Sequence, residues 1–242
     1  FGLIGSKVAE NILSVGGKVI ILDIKKKQTP KNTKYERFDC SKLENLEKNL
    51  YKIIKKIGCP DVFINCSYPK TLDWDKCSFD KINLKRMKKN IEMHMNSYAW
   101  LSKIVADKMI KNKIKGNIIN LNSIYGLVGQ DLNIYKNTSM QENMPYSIIK
   151  GGLANLVRQM ASYYGKFGVR INNICPGGLK GHVAGKSKLQ KKQFIKNYEE
   201  KVPLKRLGSA GEVANVITFV ASDAASYITG SNIVVDGGWT II

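Results

Sequence analysis

Short β-branched runs recur along this chain, separated by longer stretches with apolar residues at helical spacing, and that alternation restricts the fold most. Strand-length runs fall at 18–23, 61–66, 116–122, 169–175 and 232–235. Between them, 41–57 places Leu43, Leu46, Leu50, Ile53 and Ile54 on one helical face, and 91–111 carries a similar pattern. Helices also fit 3–15, 146–165 and 210–222. This order predicts a parallel sheet with helices on both faces, because each crossover must return the chain to the same edge. No repeat or low-complexity linker interrupts the series, and 242 residues suit one α/β domain over 1–242.

Composition narrows the class. Hydrophobic residues make up 43% and charged residues 24%, which suits a packed core and argues against a disordered chain. Apolar runs such as Val19, Ile20, Ile21 and Leu22 are far short of a bilayer span, so no membrane segment is expected. Residues 1–5 lack the basic start and cleavage pattern of a secretion signal. Cys40, Cys59, Cys66, Cys77 and Cys175 are odd in number and scattered without metal-ligand spacing, which fits reduced thiols in a cytoplasm. The formal charge is +20, yet only Arg37, Arg86, Arg158, Arg170 and Arg206 are arginines among 39 basic residues. With Asn and Ile also abundant, the charge reads as the codon bias of an AT-rich genome. No nucleic-acid-binding motif accompanies it.

Gly2, Leu3, Ile4 and Gly5 open a helical pattern that leads to a strand ending in Asp23, the order of a dinucleotide-binding turn. Glycines there let main chain approach a pyrophosphate, and the helix N-terminus supplies N–H donors and positive dipole. Asp23 suits hydrogen bonds to both hydroxyls of an adenosine ribose and repels a 2′-phosphate, which favours NAD. Lys25, Lys26 and Lys27 directly after it would instead suit NADP, and a plain turn residue is the other reading of Asp23. Asp39 with Cys40, after the strand-like 35–38, and Asn65 at the end of 61–66 fit an adenine and ribose pocket, or serve as turn and cap residues.

Tyr146 and Lys150 stand four residues apart just after Pro145, so a helix opening there presents both on one face. A phenol ionises near pH ~10, and a neighbouring ammonium lowers that value, which would make the pair a proton-handling centre. Ser123 follows the run 116–122, at the carboxyl edge where open α/β sheets bind ligands; a helix cap is the alternative. A tyrosine and lysine at this spacing are common on solvated helix faces, so other motifs must decide.

Five motifs do so. Asn120-Leu121-Asn122-Ser123-Ile124-Tyr125-Gly126 comes first, then Tyr146 through Lys150-Gly151-Gly152, then Arg170-Ile171-Asn172-Asn173-Ile174-Cys175-Pro176-Gly177. Pro203-Leu204 with Arg206-Leu207-Gly208 follows, and Tyr227-Ile228-Thr229-Gly230 with Val235-Asp236-Gly237-Gly238 closes the series. In that order they resemble the classical short-chain dehydrogenase/reductase family over nearly the whole chain. The resemblance implies a Rossmann fold, a doubly wound parallel α/β sheet in a single domain, and hydride transfer between nicotinamide and an alcohol or ketone. By motif position Ser123 would hold the substrate oxygen, Tyr146 would exchange the proton, and Lys150 would bind the nicotinamide ribose while lowering the Tyr146 pKa. Backbone at Pro176 and Gly177, reaching Leu179, would meet the carboxamide, and Asn65, Cys66 and Ser67 would border adenosine. A homodimer or homotetramer is implied too. So is a first strand with a further glycine, about ten or more residues before Phe1, since a sheet without its middle strand would leave two edges open.

The chain also departs from the family. His94 falls where the family has a catalytic asparagine, whose main-chain carbonyl holds a relay water, with Asn96 two residues on; an ordinary helix residue is the alternative. Asn65-Cys66-Ser67-Tyr68 replaces the family's Asn-Asn-Ala-Gly, so the loop 68–74 is expected to differ. The Ser123-to-Tyr146 interval of 23 residues is longer than the family's, through an insertion at 130–144. Its polar residues Gln130, Asp131, Asn133, Asn137, Thr138 and Ser139 are expected near the substrate. The Lys-rich, apolar-poor stretch 180–206 reads as a mobile lid, whose lysines would favour an anionic small molecule. A looser similarity to oxidoreductases of bacterial surface-sugar and flagellin-glycosylation clusters points to a phosphorylated or nucleotide-linked sugar. A 3-oxoacyl-acyl-carrier-protein reductase and a non-catalytic NAD(P)-binding regulator are the competing functions.

Overall fold

In the computed structural model, which describes residues 1–27, 30, 31, 33–181 and 190–242, helices and strands alternate. Helix α1 (Leu3–Ser14) leads to β1 (Val19–Asp23) and β2 (Thr33–Arg37), then α2 (Leu43–Ile57) and β3 (Val62–Asn65). α3 (Leu84–Ile91) continues through a π-helical turn at Glu92–Asn96 into α4 (Ser97–Lys111). β4 (Asn117–Leu121), α5 (Met144–Tyr164), β5 (Arg170–Pro176), α6 (Lys192–Lys201), α7 (Ala210–Ala221) and β6 (Asn232–Val235) follow. All strand pairings among the described residues are parallel: β1 with β2, and separately β3-β4-β5-β6 in that order. Asn65 stands beside Asn120, Leu121 beside Ile174, and Pro176 beside Val235. That register brings the residues following β3, β4 and β5 to one edge.

Side chains alternate across each strand, so neighbouring positions serve opposite layers. On one face Ile118 and Ile171 bury against Leu46 and Leu50 of α2, Leu101 and Met109 of α4, and Val157 of α5. On the other, Ile119 and Ile174 bury against Val8 of α1 and Val213, Ile217 and Val220 of α7. This is the doubly wound layering expected. The five cysteines are free thiols, and among the described residues no helix is long and apolar enough to cross a membrane.

Three stretches differ from the sequence expectation. The helix expected to begin near 91 has a preceding helical segment from Leu84, because Asn83 caps it by accepting the Arg86 N–H at 3.0 Å. The stretch 180–206, read as a lid poor in apolar residues, contains α6, whose Phe194 and Tyr198 lie four apart and pack with Ile134 and Trp239; residues 182–189 lie outside the described ones. The insertion folds locally too, with a 3-10 turn at Leu132–Tyr135.

Candidate active site

The start of α5 is set by Asn143, whose Oδ1 accepts the Tyr146 N–H at 3.0 Å, with Pro145 in the first turn where its missing N–H costs nothing. One turn on, Lys150 is only 2% exposed, and its Nζ donates to the Leu121 main-chain oxygen at 2.8 Å. That Nζ lies 5.6 Å from the Tyr146 ring centroid and 5.0 Å from that of Tyr98. Ser123, buried two residues beyond β4, is in hydrogen-bonding reach of the Tyr146 hydroxyl, while its Oγ accepts the Tyr125 N–H at 3.2 Å. Gly126 permits this closeness, since a Cβ there would lie 2.5 Å from the Lys150 carbonyl oxygen. Ser123, Tyr146 and Lys150 are therefore brought together.

Burial pulls the Lys150 ammonium down to about 7 and pushes the Tyr146 phenol up, the Ser123 hydrogen bond opposing the latter. The expected lowering of Tyr146 by Lys150 is thus not what this arrangement gives. The two groups lose water together, and the ammonium is spent on Leu121. Cys66 and Cys175 flank Lys150, and burial pushes both thiols up to about 12, so they stay neutral. Cys175 had no assigned role; its place on a buried strand just before Pro176 is the signal that puts it here.

His94 lies fully buried in the π-helical turn, 5.3 Å between ring centroids from both Tyr68 and Tyr98. Neither ring nitrogen has a partner among the described residues, and burial holds the imidazole well below its ordinary 6.5, hence neutral. Its main-chain oxygen accepts the Ser97 hydroxyl at 3.0 Å. Tyr68, Trp74 and Tyr125 surround the Tyr146 ring at 6.1, 6.2 and 6.5 Å between centroids. The divergent 68–74 loop thus supplies aromatic walls that its sequence did not specify.

Further along the edge, extended Gly2 precedes α1, which has no side-chain cap and no acidic residue in its first turn, leaving the N–H groups around Leu3 and Ile4 without such acceptors. Space around Gly2 is open, with no atom within 4 Å of where a Cβ would sit. Asp23 stands beside this turn, its Oδ2 2.7 Å from the Phe1 nitrogen and its Oδ1 accepting the Lys25 N–H at 3.1 Å. Asp39 serves a turn through Oδ1, which accepts the Ser41 N–H and hydroxyl at 3.0 and 2.6 Å. Asn65 likewise accepts from the Ser67 N–H and hydroxyl at 3.2 and 2.6 Å, but its buried Nδ2 has no partner among the described residues. Cys40 neighbours Ser67, and Cys66 lies 3.6 Å from a Cβ placed on Gly5. Past β5, Gly177 donates its N–H to Val235 O at 3.0 Å and Leu179 bridges to Gly208. An uncapped helix start, an open glycine turn, a nearby carboxylate and an unpartnered amide are what a dinucleotide requires, so these residues fit NAD(P).

The insertion's polar groups are largely engaged by neighbours rather than left for a substrate. Gln130 Nε2 donates to Asn143 O and Ser147 Oγ, both at 3.0 Å. Asp131 pairs with Lys201 at 2.7 Å, Ser139 accepts from Lys191 at 2.7 Å, and the Asn197 amide donates to Lys136 O at 2.8 Å. Lys205 donates to Glu200 O at 2.6 Å. Lys191, Lys201 and Lys205 are therefore not the free lid cations expected, and Lys186 and Lys188 lie outside the described residues.

A family model described as enoyl-(acyl carrier protein) reductase matches residues 3–240. The chain belongs to the short-chain dehydrogenase/reductase family. As a short-chain dehydrogenase/reductase it is an NAD(P)-dependent oxidoreductase acting on CH–OH groups. It is 28% identical to post-translational flagellin modification protein A of Campylobacter coli, covering 98% of this chain and 94% of that one. To glucose 1-dehydrogenase 2 of Bacillus subtilis it is 28% identical, covering 84% of this chain and 73% of the relative. Among solved structures, a short chain dehydrogenase from Leptospira borgpetersenii with bound NAD+ superposes with a TM-score of 0.86 at 27% identity, over 99% of this chain and 89% of the other.

Proposed function

We propose that this short-chain dehydrogenase/reductase uses NAD to oxidise or reduce a ring or chain hydroxyl position of an anionic sugar, phosphorylated or nucleotide-linked. The observation that carries the chemistry is the Tyr146–Lys150 face, with Lys150 buried and buried Ser123 at the phenol. In this reading Ser123 Oγ holds the substrate oxygen and Tyr146 exchanges a proton with it. Lys150, poised near neutrality, binds the nicotinamide ribose. His94 holds the π-helical turn beside them, keeping an uncharged ring next to Lys150. When bound, the nicotinamide supplies or accepts the hydride. Gly2, Leu3 and Ile4 would hold the pyrophosphate and Asp23 the ribose hydroxyls. Asp39, Cys40, Asn65, Cys66 and Ser67 would line the adenosine, with Pro176, Gly177 and Leu179 at the carboxamide.

The sugar class is supported by the flat aromatic faces of Tyr68, Trp74 and Tyr125, which suit the C–H faces of a sugar ring, and by the names of the Campylobacter and Bacillus relatives. Exposed Lys180, Lys192 and Lys196, in the segment past β5, support an anionic substrate through electrostatic attraction. A second reading, reduction of an acyl chain on an acidic carrier protein, is favoured by the description of the matched family model. Exposed Trp100, Tyr163 and Phe167 support a homo-oligomer. The test compares kcat/KM with NAD(H) on matched phosphorylated, nucleotide-linked and free sugars and on an acyl-carrier thioester, at low and high salt. Preference for the charged sugars that weakens with salt supports the proposal; preference for the thioester or for simple ketones refutes it.

A further inference from the structure

The main chain that follows β5 is held by one side chain of α6. Tyr198 is buried, and its hydroxyl oxygen accepts the N–H of Gly178. The phenol lies against both glycines there. A Cβ on Gly177 would stand 3.1 Å from the Tyr198 oxygen, and one on Gly178 would stand 2.5 Å from its Cζ. The ring stacks on Trp239, with centroids 4.3 Å apart and planes at 18°. Lys201, nearly one turn further along α6, lies 4.5 Å over the Trp239 ring and pairs with Asp131 of the insertion. One packed series thus runs from the insertion through α6 and Trp239 to Gly178. Neighbouring groups of the loop bond main chain to main chain: Gly177 N–H to Val235 O, and Gly208 N–H to Gly178 O, both at 3.0 Å. The Gly178 N–H differs in having a side-chain acceptor, so a single oxygen atom fixes the orientation of that peptide.

We propose that Tyr198 is a positioning residue for the cofactor, its hydroxyl fixing the Gly178 peptide so that the 176–179 backbone is held in register for the nicotinamide carboxamide. The inference rests on the reading of Pro176, Gly177 and Leu179 given above. Tyr198→Phe removes only the oxygen and keeps the stack on Trp239. The Gly178 peptide then loses its anchor while the core stays filled, so the loss falls on cofactor affinity rather than on the proton-handling groups.

The experiment measures NADH binding, by energy transfer from protein tryptophan to the nicotinamide, together with KM for NAD and kcat, in wild type and Tyr198→Phe. Phe194→Leu is the control. Phe194 packs against Tyr198, with ring centroids 5.9 Å apart, in the same cluster, and trimming it weakens packing while leaving the acceptor in place. Tyr198→Phe is expected to raise Kd for NADH and KM for NAD about fivefold or more, with kcat at saturating cofactor within about twofold, as loss of one hydrogen bond predicts. Phe194→Leu is expected to lower the melting temperature without that rise in Kd. Equal NADH affinity in Tyr198→Phe and wild type, or an equal rise in Kd in Phe194→Leu, overturns this inference alone. Failure of the wild-type chain to bind NADH overturns the dinucleotide reading and this inference with it.

Discussion

Lys150 donates from Nζ to the Leu121 main-chain oxygen at 2.8 Å, and the Asn122 amide donates back to the Lys150 carbonyl oxygen at 3.2 Å. The end of β4 and the second turn of α5 are therefore laced in both directions. Because Ser123 directly follows Asn122 and Tyr146 lies one turn before Lys150, this lacing sets how the hydroxyl and the phenol meet.

That position has a consequence for stability. Burial lowers Lys150 from 10.5 to about 7, so the unfolded chain binds more protons at this site between those values. Stability from this group rises with pH across that window, and below about 7 the buried charge is a net cost. Thermal unfolding of wild type and Lys150→Met from pH 6 upward should show the variant's advantage largest at pH ~6 and shrinking as pH rises. His94 is held neutral first by burial and second by Lys150, so the part of the difference above pH ~7, where an ordinary imidazole is neutral too, belongs to Lys150. A difference independent of pH would contradict this.

Gly126 tests the same junction from the other side. A Cβ there meets the Lys150 carbonyl oxygen at 2.5 Å and its carbon at 2.7 Å, main-chain atoms that cannot swing away. Gly126→Ala should cost about 1–3 kcal/mol of stability and displace Ser123 from Tyr146, lowering kcat more than it raises the cofactor KM. Denaturant unfolding and steady-state kinetics check it; unchanged stability and kcat would show that the two segments can part without consequence.

The proposed role of Asp23 in choosing between the cofactors can be tested directly. Asp23→Ala should narrow the preference for NAD over NADP by about tenfold, the loss expected when a carboxylate no longer accepts ribose hydroxyls and no longer repels a 2′-phosphate. Kd values for NADH and NADPH measure it. Tighter NADPH binding by the wild type would mean that Lys25, Lys26 and Lys27 govern the choice.

The strand ends that carry Asn65, Ser123 and Pro176 were legible because strands buried on both faces read as near-continuous apolar runs that stop at turn residues. α3 was not, since four of its eight residues are basic and its apolar period is masked. α6 was missed for a similar reason: Phe194, Ile195 and Tyr198 stand among lysines, and their burial depends on Ile134 and Trp239, far away in sequence. The partners of Asp131 and Ser139 were invisible because Lys201 and Lys191 reach them only through tertiary packing. Lys150 and Tyr146 could be named from their spacing together with the other four motifs, but the direction of their pKa shifts could not. Burial, which spacing does not report, is the largest cause of both shifts.

The central claim is that Tyr146 carries the transferable proton. The direct measurement is turnover of wild type and Tyr146→Phe on the best carbonyl or alcohol substrate, with NADH binding followed in parallel. Removing one hydroxyl from the Tyr146 ring, which keeps its aromatic neighbours, should lower kcat by about a hundredfold to ten-thousandfold while leaving the Kd for NADH within about twofold. Substantial turnover in Tyr146→Phe, with NADH bound as in the wild type, would contradict the account.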